Sequence, residues 1–191
     1  MSLNDLILSR RSIRQFKPEA IPQEILRDVV NSGRLAPSAA NRQPLEFMIV
    51  DREDKKEQVF PCLKWAGYIA PDGNPKPGQE PQAYIVILVN TAIREKGFEW
   101  DSGAAIENMI LAAWEKGIGS CWIISMDKER VKKTLSIPDS HKVDSVIALG
   151  YPAETPVTED LLDSVEYWKD NKGCLHVPKR KLSDVIHINE F

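Results

Sequence analysis

The chain has 191 residues, of which 42% are hydrophobic and 28% charged, and its formal net charge is −3. A chain of this length buries roughly 70% of its unfolded surface, which predicts one domain over residues 1–191 with a C-terminal arm from about residue 152. The slight acidity gives no global field for nucleic acid, and no apolar run approaches the eighteen or so residues that span a bilayer, so neither nucleic acid nor membrane is an expected partner.

"SLNDLILSR" places Leu3, Leu6 and Ile7 at helical spacing, with Ser2 or Asn4 as the cap, and ends in the run Arg10, Arg11, Ser12 and Arg14. "PQEILRDVVNSGRLAP" predicts a second helix: Pro22 suits its first position, Ile25, Leu26, Val29 and Val30 form its stripe, and Gly33 and Pro37 are its stop signals. Residues 34–47 then read as a small-residue and amide-rich loop. "EFMIVD" and "AYIVILVN" predict strands over 46–51 and 83–90, the second apolar enough for burial on both faces. Between them lie a charged helical stretch, "REDKKEQVF", and a Pro/Gly-rich loop over 70–81, long enough to be either mobile or functional.

The strongest helix signal is 98–117, where Ala105, Ile106, Met109, Ile110, Ala113 and Trp114 repeat at three and four, and Gly117 is the C-terminal stop. "IGSCWII" and "KVDSVIALG" read as strands around a short helix, "DKERVKKTLSI". After Gly150 the chain turns polar and Pro-punctuated, as an extended arm would. Helices and strands mix without steady alternation, which predicts α+β rather than a doubly wound sheet.

Three arginines within five residues repel one another unless an anion lies among them. A phosphate monoester, with nearly two charges and three acceptor oxygens, suits arginine's planar fork and a serine hydroxyl. The competing reading is a solvated basic turn that stabilises the preceding helix. "VPKRK" supplies a second cationic group, Lys179, Arg180 and Lys181; alone it reads as a solvated run, but an arm folded back on the N-terminus lets the two groups share one anion. In the 34–47 loop, Asn41 and Gln43 each offer a donor and an acceptor, as an amide-like heterocycle edge requires, and Pro37, Ser38 and Ala39 leave room for a flat ring.

Other chemistries find little. "GIGSCW" lacks the third glycine of a dinucleotide fingerprint and stands between a helix and a strand, the reverse of the required order, and no Walker A sequence exists. His141, His176 and His187 have no metalloprotease or hydrolase companions, so each reads as a surface or core histidine. Cys62, Cys121 and Cys174 are odd in number, without CxxC or zinc spacing, and "MSLNDLILSRR" has charge where the apolar stretch of a signal peptide would stand. Both point to buried thiols in a reducing cytoplasm, with no metal. Without an acid–base signature, an enzyme of this sequence relies on a cofactor for its chemistry.

The arginine–serine run, "RLAPSAANRQPLEFMIV", "GAAIENMILAA", "KGIGSCWI" followed by "IALGYPAE", and "PKRKLSDVIH" stand in an order that resembles the nitroreductase family of FMN-dependent oxidoreductases over nearly the whole chain. The resemblance implies an α+β nitroreductase-like fold, a central mixed or antiparallel sheet flanked by helices, in an intertwined homodimer with the C-terminal arm extended and FMN at the interface. It implies that Arg10, Arg11 and Ser12 bind phosphate and ribityl, that Arg14 faces the pyrimidine edge, and that Pro37, Ser38 and Ala39 cross the ring from the partner chain. Asn41 and Gln43 fall in the same loop. Ile118, Gly119 and Ser120 match backbone near the flavin N5, and Lys179 and Arg180 match the C-terminal phosphate group, to within about one residue. The implied reaction is NADH- or NADPH-driven, ping-pong reduction of nitroaromatics, quinones or similar flat small-molecule acceptors. Reductive dehalogenation, flavin fragmentation and non-catalytic redox sensing are the alternatives. Leu45, where many members have Trp, and the long 66–81 loop depart from the family pattern near the acceptor side.

Overall fold

The computed structural model describes residues 2–190. It has helices α1 (Leu3–Ser9), α2 (Gln23–Arg34), α3 (Glu53–Val59), α4 (Glu99–Glu115) and α5 (Lys128–Thr134), and strands β1 (Leu45–Val50), β2 (Ala83–Asn90), β3 (Gly119–Ile123), β4 (His141–Gly150), β5 (Val157–Asp160), β6 (Trp168–Lys169) and β7 (Leu175–Lys179). The first four strands form one sheet in the order β1-β2-β4-β3, antiparallel throughout. This is the α+β class that the mixed element order predicts.

β2 and the Val146–Leu149 half of β4 are apolar at almost every position because both of their faces are covered. Strand side chains alternate between faces. Ile85, Ile87, Ile147 and Leu149 pack with Leu26, Val29, Ile106, Met109 and Ala113 of α2 and α4. Tyr84, Val86, Leu88, Val146 and Ala148 face the other way, with Val59, Val131, Ile13 and Phe16. Two cores thus sandwich one sheet.

Helix boundaries follow local chemistry. Ser2 and Asp5 form a reciprocal capping box that starts α1. Gly117, at φ 75°, turns the chain out of α4 in the left-handed region, as the sequence predicts. Gly33 does not stop α2. It lies inside the last turn, where a Cβ would come within 2.7 Å of Met109 Cγ, so its service is close helix packing.

The segment after Gly150 departs most from expectation. It folds locally into a three-stranded sheet, β5-β7-β6, with β5 parallel and β6 antiparallel to β7. Its alternation is too short and too exposed to register as strands in sequence. The 66–81 loop also proves tethered: the Gln15 side chain donates to Asn74 O and accepts from Lys76 N, both at 2.9 Å, and Phe16 N donates to Gln79 O.

Candidate functional site

The arginine run begins where α1 ends and is held by the sheet. Ser12 bridges Ser120 at the β3 edge, Ile13 N donates to Ser120 O at 2.8 Å, and Lys17 N donates to Tyr151 O just beyond β4. Two glycines permit this approach. A Cβ on Gly119 would meet Ile13 Cγ1 at 2.7 Å, and one on Gly150 would meet Phe16 Cδ1 at 2.7 Å. With Ile13 and Phe16 wholly buried, Arg10, Arg11, Ser12 and Arg14 are left facing one cavity of about 500 Å³.

The small sheet forms the opposite wall. Thr158, Glu159 and Asp160 of β5, Val177 and Lys179 of β7, and Tyr167 line it. Both cationic ends of the chain therefore meet at one cavity. Arg11 Nη1 donates to the Leu8 and Arg10 carbonyls, closing the end of α1, while Nη2 donates to Thr158 Oγ1 at 3.0 Å. Burial, with the adjacent Arg10 charge second, lowers the Arg11 pKa. Arg10 reaches Glu107 of α4 at 3.7 Å.

Arg14 is the most informative member. Its guanidinium lies 5.3 Å from the Tyr167 ring centroid, and Tyr167 meets Tyr68 edge-on at 4.9 Å. Its Nε is buried and has no hydrogen-bond partner among the described residues. A buried charged donor left unpaired is costly, and an acceptor in the cavity would relieve it. Glu154 does not fill this need: its carboxylate accepts from the backbone N–H of Arg14 and Gln15. Burial pushes the nearby Cys121 thiol up, so it stays protonated, as the sequence reading expects of a structural cysteine.

The other predicted residues are placed as follows. Ile118, Gly119 and Ser120 are buried at the start of β3, and Ser120 is backbone-paired to the arginine run. Arg180 does not line the cavity; its guanidinium donates to Asp184 O. Pro37, Ser38 and Gln43 line a separate cavity with Asp101 and Phe47. Their loop holds Ala40, Asn41 and Gln43 at φ 54°, 53° and 51°. That uncommon backbone is held by Ser38 Oγ, which accepts from Gln43 N, and by buried Asp101, which accepts from Ala39 N at 2.9 Å and pairs with Arg94 at 3.4 Å. Thr158, Glu159, Asp160 and Tyr167 escaped the sequence reading. The aromatic pair Tyr167-Trp168 in an otherwise polar tract was the available signal.

Among the described residues no His, Cys, Asp and Glu group is arranged to hold a metal, and no helix is long and apolar enough to cross a membrane. The donors instead suit an anionic group: clustered guanidiniums, a serine hydroxyl and a lysine.

Comparison with known proteins agrees. A relative from Methanothermobacter thermautotrophicus, named as an NADH dehydrogenase/NAD(P)H nitroreductase, is 31% identical and aligns over 85% of this chain and 84% of its own. An iodotyrosine deiodinase of Haliscomenobacter hydrossis is 24% identical over 80% of each chain. The crystal structure of an NADH dehydrogenase/NAD(P)H nitroreductase from Parabacteroides distasonis superimposes with a TM-score of 0.73 at 26% identity, covering 99% of this chain and 98% of that one. A nitroreductase from Desulfovibrio desulfuricans, solved in complex with FMN, shares the fold at 19% identity and a TM-score of 0.73, over 100% and 98%. The Nitroreductase family model matches residues 7–151. From the arginine run to the end of β4, this chain belongs to the nitroreductase family of oxidoreductases.

Proposed function

We propose that this protein is an FMN-dependent oxidoreductase that takes electrons from NADH or NADPH and passes them, by a ping-pong sequence, to nitroaromatics, quinones or similar flat electron-poor acceptors. The observation that carries this reading is the meeting of Arg10, Arg11, Ser12 and Arg14 with Lys179 at one cavity, with Arg14 Nε unpartnered within it. The FMN complex of the Desulfovibrio desulfuricans protein and the names of the other relatives support it.

Bound FMN would supply two-electron chemistry that no side chain here provides. The chain's own part is binding and electrostatics. Arg10, Arg11, Ser12 and Lys179 would hold the phosphate by charge-assisted hydrogen bonds. Arg14, fixed against Tyr167, would present a cation to the pyrimidine edge and favour negative charge there. The left-handed loop of Pro37, Ser38, Ala39, Asn41 and Gln43 would complete the site of a second copy. The protein is accordingly a homodimer in this reading, active in the cytoplasm. Exposed Leu3, Ile7, Leu8, Trp100, Leu182, Val185, Ile186 and Ile188 support a partner, since a monomer would leave them in water.

Titration of the purified protein with FMN, followed by anaerobic addition of NADH or NADPH and then menadione or a nitroaromatic, tests the proposal. Flavin binding, bleaching by the donor and recolouring by the acceptor are expected. Absence of binding, or binding without donor oxidation, overturns it. The deiodinase relative favours reductive dehalogenation as a second reading. Halide release from an iodinated phenol, without turnover of quinone or nitro compounds, would select that reading.

A further inference from the structure

Side chains alternate across the small sheet, so its two faces differ. Trp168 and His176 lie opposite each other in the β6–β7 ladder and stack at 4.2 Å on one face. The Glu159 carboxylate is bonded to both of them there, and the Asp170 carboxylate lies 3.7 Å from the same imidazole. The other face takes Thr158 of β5 and Val177 and Lys179 of β7, which line the cationic cavity. Tyr167, one residue before Trp168, turns to this second face and lines the cavity too. Its ring centroid lies 5.3 Å from the Arg14 guanidinium carbon.

Tyr167 is braced from behind by the 66–81 loop. Tyr68 meets its ring at 4.9 Å with 61° between planes. Two residues on from Tyr167, Lys169 Nζ donates to the Asp72 carbonyl at 2.6 Å. The same loop is bonded to the Gln15 amide, next to Arg14 in the chain. The ring and the arginine are therefore anchored to one common support.

Arg14 has little else to fix it. Its Nε is buried without a partner among the described residues. Glu154 accepts from the backbone N–H groups of Arg14 and Gln15, and burial keeps the Cys121 thiol beside it neutral. An arginine side chain has many rotamers, and the entropy of fixing one is subtracted from binding. A carboxylate partner would fix it at the expense of its N–H donors and its charge. A ring face attracts the guanidinium and leaves both available.

We propose that Tyr167 is a positioning residue for the ligand of this cavity: its ring, braced by Tyr68, holds the Arg14 guanidinium ready for an acceptor without using its donors or cancelling its charge. This rests on the cofactor reading above only in taking FMN as the natural ligand.

The test is a set of FMN titrations on the full chain, read by fluorescence quenching. Tyr167→Leu removes the ring face and is expected to weaken FMN about three- to tenfold, the worth of one partly desolvated cation–π contact. Tyr167→Phe keeps the face and is expected to bind as the wild type does. Phenylalanines of rising ring fluorination at this position keep the shape and drain negative charge from the face, so affinity should fall with each fluorine. In an Arg14→Met background, Tyr167→Leu should cause no further loss. Unchanged or tighter FMN in Tyr167→Leu overturns the inference, as does a flat fluorine series or an equal loss with and without Arg14. If Tyr167→Leu does not fold, Tyr68→Ala takes its place, at a ring that is 57% exposed. A smaller loss that vanishes in the Arg14→Met background is then expected, and no loss, or one that persists there, overturns the inference. A wild type that binds inorganic phosphate but not FMN removes the cofactor reading alone, and phosphate titration of the same variants then decides this one. A wild type that binds neither overturns both.

Discussion

The two sheets of this molecule are built on opposite principles. In β2 and β4, Ala83, Ile85, Val86, Ile87, Val146, Ile147, Ala148 and Leu149 are almost wholly inaccessible, with helices on one face and α3, α5 and the N-terminal segment on the other. Of the residues in β5, β6 and β7, Leu175 alone is buried, and the rest is held by hydrogen bonds, ion pairs and one ring stack. The first sheet draws its stability from apolar burial, which scales with area and involves no titrating group. The second is assembled from polar contacts of small net worth. A wall of that kind can be rearranged cheaply, and it is the wall that carries Thr158 and Lys179 to the cavity.

This division can be broken by substitution. The largest effect is expected for Phe16→Ala, which empties a wholly buried site in the core on one face of the central sheet and should cost about 3–5 kcal/mol in denaturant unfolding. A loss below about 1 kcal/mol would show that the N-terminal segment is not part of the core. Gly150→Ala sets a methyl against the same ring and should cost about 1–3 kcal/mol by the same measurement. Lys179→Ala, in the polar sheet, should leave unfolding of the apo protein nearly unchanged while weakening FMN about tenfold by titration, the worth of one charge-assisted contact. A large fall in apo stability with unaltered flavin affinity would reverse the comparison.

Acid should sharpen it at the smallest scale. Glu159 and Asp170 titrate below their ordinary values of 4.5 and 3.8. The folded form therefore binds fewer protons than the unfolded chain in that range. Their contribution is complete above those values and is lost as pH falls through the lower folded-state values. A small loss of order in the C-terminal sheet below about pH 4, read from the His176 ring signals by NMR before any change in the central sheet, is the expected outcome. Simultaneous loss in both sheets would refute the separation.

What could be read from sequence follows the same line. β2 and α4 were legible because burial on two faces leaves an unbroken apolar run, and burial on one leaves a repeat of three and four. The arginine run was conspicuous because adjacent like charges demand an explanation, and the structure gathers its members at one cavity. Lys179 was placed with it as a conditional, since nothing local to "VPKRK" says where the arm folds. The small sheet was not legible: two- to five-residue strands with exposed faces carry no periodicity above background. His176 read as an ordinary histidine because its partners, Glu159, Trp168 and Asp170, are brought to it by cross-strand register and a tight turn. Gly33 was misread because a glycine that ends a helix and one that admits a neighbouring methionine are identical in one dimension.

Gln15 has a consequence for how such a protein can change. Its one amide clips the 66–81 loop, through Asn74 and Lys76, to the stretch of backbone from which Arg14 projects. The flap beside Tyr68 and the cationic grip are thus a single lever with a common fulcrum. Lineages that reshape this loop must either preserve that fulcrum or shift the backbone that carries Arg14, so drift in the loop should be richest at residues that Gln15 does not touch.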